Sequence, residues 1–161
     1  GIAARSAMLT SSVLLVMATS AAFAWVLTVE GVPQYLSELI VSWQLSPVMF
    51  LIAVNVLLLV FGIFMEPLPG VMILVPILAP IASALGIHPI HFAMVVIVNL
   101  TLGMITPPVG GLLFVTAVST RVSITALTRE MPLFLLAHFV VLVMLTFIPA
   151  ISTWLPHVLG F

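Results

Sequence analysis

The chain has 161 residues, 64% apolar and 4% charged, with three arginines (Arg5, Arg121, Arg129), four glutamates (Glu30, Glu38, Glu66, Glu130) and no lysine. A mean hydropathy of +1.48 excludes a soluble domain and demands a lipid environment. A net charge of −1 leaves no footprint for nucleic acid, and the lack of cysteine removes disulfides and thiolate metal sites. The chain opens Gly1-Ile2-Ala3-Ala4-Arg5, without initiator Met or signal pattern, so a piece of a longer polypeptide is expected. Twelve prolines and nine glycines in so apolar a chain point to broken helices rather than plain spans.

In chain order, residues 6–29 form an apolar run that reaches about 36 Å as a helix, enough to cross a bilayer. Glu30-Gly31-Val32-Pro33 ends it. Residues 34–43 place Tyr35, Leu36, Leu39, Ile40 and Trp43 on one helical face and Gln34, Ser37 and Glu38 on the other. Ten residues are too few to span, so an interfacial amphipathic helix anchored by Tyr35 and Trp43 is expected. Pro47 opens the next apolar helix, which runs to about Phe64 and stops at Met65-Glu66-Pro67. A second segment, 71–85, contains Pro76 and Pro80 and would measure about 22 Å, short of the roughly 30 Å hydrocarbon core. Two short arms joined by a proline-rich, acid-bearing tip read as a re-entrant hairpin over 47–85, with two full spans as the alternative.

Gly86-Ile87-His88-Pro89-Ile90-His91 reads as an exposed turn, followed by a span over 92–119 broken at 103–110. A surface connection over 119–130, with a short helix capped by Ser123, leads to a last span over 132–155. The organisation expected is therefore 1–44, first span and interfacial helix; 45–120, hairpin and broken helix; 121–161, connection and last span. The hairpin adds no net crossing, so all three arginines fall on one side, which the positive-inside rule makes cytoplasmic. The C-terminus then faces outward.

The organising stretch is Asn99-Leu-Thr-Leu-Gly-Met-Ile-Thr-Pro-Pro-Val-Gly110. Pro107 and Pro108 lack N–H groups and push the residue before each of them out of the α region, while Gly103 and Gly110 loosen the flanks. Opened backbone in hydrocarbon is tolerated only where it is buried in protein or lines an aqueous cavity. Asn99, Thr101 and Thr106 add oxygen ligands suited, with free carbonyls, to a hard cation such as Na⁺. Interhelical hydrogen bonding is the alternative for each of them alone. Glu66 is the one acid inside a long apolar stretch. It reads either as part of an ion path or as a cap on the amides that open the following helix.

His88 and His91 have metal-compatible spacing without a third ligand nearby, so interfacial or helix-starting roles are expected. His138 reads as a packed residue, with a proton relay as the alternative. No nucleophile–base set, phosphate loop or carboxylate pair is present, so no enzyme is expected.

Residues 62–115, GIFMEPLPGVMILVPILAPIA followed by GIHPIHFAMVVIVNLTLGMITPPVGGLLFV, resemble the large membrane subunit of tripartite ATP-independent periplasmic (TRAP) transporters, the DctM-like family. The proline pair, the hairpin prolines and the GIHPIHF turn agree in order and spacing, and weaker similarity reaches residue 156. The resemblance implies an all-α integral membrane protein forming the second of two inverted repeats, each with a re-entrant hairpin and a broken helix. It implies an elevator-type secondary transporter of the bacterial inner membrane, driven by Na⁺. The partners implied are a periplasmic substrate-binding protein (DctP-like) and a small membrane subunit (DctQ-like), separate or fused. Organic acids, including C4-dicarboxylates and sialic acids, are the substrates implied. Carried over by position, Met65, Gly103, Met104, Thr106 and Gly110 would hold Na⁺ through backbone carbonyls and the Thr106 hydroxyl. Glu66, Pro67, Asn99, Thr106, Pro107 and Pro108 would form part of the substrate wall. The first repeat supplies the other half of such a site, so this stretch alone should not transport. A binding-protein-independent anion permease and a purely structural membrane subunit are the competing readings.

Overall fold

The computed structural model describes residues 2–43, 45–64, 66–107 and 111–160. All regular structure among them is α-helical: α1 (Ile2–Val29), α2 (Val32–Ser42), α3 (Pro47–Phe64), α4 (Pro67–Ala84), α5 (Pro89–Met104), α6 (Gly111–Thr120), α7 (Ile124–Phe147) and α8 (Ala150–Val158). α3, α4 and α7 are each long and apolar enough to cross a membrane. The chain is a multi-pass, all-α membrane protein. Isolated hydroxyls in the apolar helices are satisfied locally: Thr28, Thr101, Thr116 and Thr120 each donate to the carbonyl four residues back.

α3 and α5 run parallel, and the order of their contacts shows it. Phe50 stacks on Phe92 with ring centroids 6.3 Å apart. Asn55 meets Asn99 further along, and Gly62 meets Gly103 at the far end. α4 returns antiparallel, with Gly70 near its start against Leu100. Phe50, Val54, Leu58, Leu74, Ile81, Phe92 and Leu100 form one buried cluster at the α3–α4–α5 junction. α1 packs on α4 and buries Ser20 and Ala24. α7 runs antiparallel to α5 and joins it through Leu142, Val95 and Leu102, with Leu135 alongside.

Both hairpin arms have 18 residues, about 27 Å at the helical rise. The second arm is longer than its apolar run suggested because Pro67 and Pro69 occupy the first turn, where a missing N–H costs nothing. The helix then continues through Pro76 and Pro80.

α2 (Val32–Ser42) lays part of its apolar face on protein. Leu36 and Ile40 pack against the buried cluster, while Tyr35 and Trp43 stay exposed. The C-terminal part differs as well. No boundary falls near residue 132, because α7 starts at Ile124 behind a Ser123 cap whose Oγ accepts from the Ala126 N–H at 3.3 Å and runs through Pro132. It stops at Phe147 because Pro149 cannot donate and forces Ile148 out of the helical region, at φ −121° and ψ 83°. The segment expected to finish the last span is instead the separate α8.

Candidate functional site

Three helix ends converge at one level of the bundle: the C-terminus of α3, the N-terminus of α4 and the C-terminus of α5. The contact that sets their distance is between glycines. A Cβ added at Gly103 would lie 2.5 Å from the Gly62 Cα and carbonyl carbon, so the two backbones touch directly. Close approach of this kind is what small residues permit between membrane helices. Gly103, read from sequence as loosening the break, is in fact the packing point that sets the hairpin tip beside it. Gly62 was not singled out at all.

α5 ends in a tightened turn. The Ile105 N–H donates to the Leu102 carbonyl at 3.3 Å and the Thr106 N–H to the Gly103 carbonyl at 2.9 Å. The Thr106 hydroxyl also donates to the Leu102 carbonyl, at 2.7 Å, leaving its oxygen lone pairs available. Thr106 and Pro107 are half-buried, as is Met104, the last residue of α5. Beside the turn, a cavity of about 350 Å³ is walled by Leu59, Leu102, Pro132, Leu135 and Phe139, with Thr106 contributing a hydroxyl.

Across the tip, Glu66 is the residue preceding α4, with extended backbone, and its side chain makes no cap hydrogen bond. Its carboxylate is exposed, so the capping role considered for it is not realised in this geometry. Pro67, half-buried, is the first residue of α4. Met65, Pro108 and Gly110 lie outside the described residues. Among the described residues, no cluster of three or more His, Cys, Asp or Glu side chains forms. The oxygens at this level are carbonyls, the Thr106 hydroxyl and the Glu66 carboxylate, a hard donor set that suits Na⁺.

Asn99 is fully buried, and its amide turns toward α3. Its Nδ2 donates to the Asn55 carbonyl at 2.9 Å and to Asn55 Oδ1 at 2.7 Å. Asn55 Nδ2 in turn donates to Thr146 Oγ1 at 2.9 Å, and Thr146 donates to the Leu142 carbonyl. Asn55 escaped the sequence analysis, although it is the one polar side chain in α3. His91 is also corrected: it is 2% exposed, with Nδ1 3.0 Å from Ser152 Oγ, because α8 folds back over the first turn of α5. His88 keeps the exposed, helix-starting role, accepting at Nδ1 from the Ile90 N–H.

A family model described as the DctM component of tripartite ATP-independent periplasmic transporters matches the sequence over residues 1–151. The chain belongs to the DctM family. That family consists of transporter permeases rather than enzymes. A relative in Paracoccus pantotrophus, named provisionally as a dicarboxylate transporter subunit, is 56% identical over 96% of this chain and 73% of its own length. The C4-dicarboxylate TRAP transporter large permease protein of Pseudomonas aeruginosa is 44% identical over 97% of this chain and 36% of its own length. The sialic acid TRAP transporter large permease protein of Vibrio cholerae is 35% identical over 92% of this chain and 35% of its own length. This DctM-family chain therefore spans about a third of the large permeases it matches.

Proposed function

We propose that this chain forms the C-terminal repeat of a Na⁺-coupled large permease that imports organic acids delivered by a periplasmic binding protein. The observation that carries the proposal is the convergence of the hairpin tip and the α5 break at the Gly62–Gly103 contact. Na⁺ would rest on carbonyl oxygens of residues 65, 103, 104 and 110 and on Thr106 Oγ1. Ion binding would order the tip against the break. The resulting pocket, walled by Glu66, Pro67, Thr106, Pro107 and Pro108, would take a carboxylate, with amides at the half-helix start at α6 facing it. Asn99 would support this wall from behind rather than reach the substrate, since its amide hydrogens are given to Asn55.

In this reading the hairpin is re-entrant and moves with the broken helix as an elevator, braced by a small membrane subunit. The protein sits in the bacterial inner membrane with its C-terminus periplasmic. C4-dicarboxylates are the first substrates to try, because the name of the Pseudomonas relative specifies them and that of the Paracoccus relative specifies a dicarboxylate.

The test is solute uptake into proteoliposomes holding the full-length transporter, with and without a Na⁺ gradient and the cognate binding protein. Uptake that needs both is the expected result. Uptake with Na⁺ alone would replace the proposal with a free-standing permease. No flux over a broad panel of organic acids would leave a structural subunit.

A further inference from the structure

α3 leads into the hairpin tip and α5 into the break, so any slip between these helices separates the two halves of the candidate site. Most of their contact is apolar and undirected: the Phe50–Phe92 stack at one end and the Gly62–Gly103 approach at the other. The glycine contact opposes a full-turn slip of about 5.4 Å, which would drive Gly103 onto a side chain of α3, but neither it nor the ring stack is directional. Midway between those contacts lies Asn99, completely buried, with both amide hydrogens accounted for by Asn55. The orientation of that amide follows from chemistry. The Asn55 carbonyl can only accept, so Nδ2 of Asn99 must face it, and Asn99 Oδ1 points away, buried and without a partner.

Asn55 then passes the connection to a third helix through Thr146. That helix, α7, supplies Pro132 and Leu135 to the cavity beside Thr106. One asparagine is thus bonded to the helix carrying the break and to the helix walling the cavity. In lipid, where a misplaced amide finds no water, such bonds specify register more than they add stability.

We propose that Asn55 is a positioning residue: it locks α3, α5 and α7 in the one register that sets the hairpin tip against Thr106. It touches neither ion nor substrate. The inference rests on the Na⁺-coupled reading above, and the experiment separates the two.

In full-length transporter reconstituted with its binding protein, the Na⁺ concentration for half-maximal uptake is measured alongside the maximal rate. Asn55→Leu keeps the volume and removes the side-chain bonds to Asn99 and Thr146, leaving only the backbone carbonyl at 55 to accept from Asn99, and it should raise the half-saturating Na⁺ at least tenfold. Thr146→Val removes only the α7 link and should give a smaller rise in the same direction, whereas Thr146→Ser, which keeps the hydroxyl, should restore the wild-type value. The double variant should match Asn55→Leu alone, because the second change acts on a link already lost. If Asn55→Leu does not fold, the Thr146 pair decides the matter by itself. A fall in maximal rate or in folded protein with half-saturation unchanged would reduce Asn55 to ordinary packing and overturn the inference. A wild type without Na⁺-dependent uptake would instead overturn the functional reading and take the inference with it.

Discussion

Gly103 has no side chain because α3 occupies the space one would need. A Cβ there would meet Gly62 backbone atoms at 2.5 Å, and backbone cannot move aside as a side-chain tip can. Gly70 presents the contrasting case. Its added Cβ would meet the Leu100 methyls at 3.2 and 3.3 Å, the flexible end of a side chain. Overpacking a tight contact costs about 1–3 kcal/mol, against about 1 kcal/mol of helix propensity regained on replacing glycine. Gly103→Ala should therefore lower the thermal midpoint of the purified transporter clearly, while Gly70→Ala changes it little. Equal midpoints for the two variants would show that the glycine contact does not set the helix spacing. At the same scale, Thr106→Ala should weaken the Na⁺ dependence of uptake, and an unchanged Na⁺ titration would remove Thr106 from the ion site. Thr106 was legible in the sequence because it stands next to Pro107. Asn55 was not, because a lone amide in an apolar helix announces no partner; only Asn99, 44 residues away, gives it one.

At the level of elements, prolines decide most boundaries, though not each in the same way. Pro47, Pro67 and Pro89 each open a helix, where their missing N–H is harmless. Pro76, Pro80 and Pro132 lie inside helices that continue through them. Pro149 ends α7. Position along the helix separates the first group from the rest and can be read from sequence. Whether an interior proline breaks a helix depends on what neighbouring helices hold in place, and that cannot. The α7 start is different, since Ser123 supplies a local cap that was recognisable, although the helix it begins, 24 residues, is far longer than the short helix expected there. The residue opening the α6–α7 link, Arg121, has a positive φ of 58°, a conformation that terminates helices but suits glycine better than arginine. Ser123→Ala should cost about 1 kcal/mol, read as a lower thermal midpoint with unchanged Na⁺ half-saturation. A shift in half-saturation would mean that the α7 start communicates with the site.

For the whole molecule, the charge pattern makes a topological prediction. Arg121 opens the α6–α7 link and Arg129 lies in the second turn of α7, while His157 lies in α8 at the far end of α7. A cysteine introduced at position 122 should react with a membrane-impermeant thiol reagent only from the cytoplasmic side, and one at 157 only from the periplasmic side. The reverse pattern would invert the assigned orientation.

Composition and proline–glycine placement pointed by themselves to a multi-pass helical protein with a hairpin and a broken helix, whereas the family was legible only through the resemblance of its motifs. These follow from local rules: how many apolar residues cross a bilayer, and where a backbone without N–H groups cannot continue. The tertiary structure decided which helix ends meet. That α3 and α5 lie parallel, that two glycines touch, and that Asn99 faces α3 rather than the break are all consequences of packing between residues more than forty positions apart. Periodicity along one helix carries no information about which neighbour its polar face will find, so the link from Asn99 through Asn55 to Thr146 could emerge only from the folded chain.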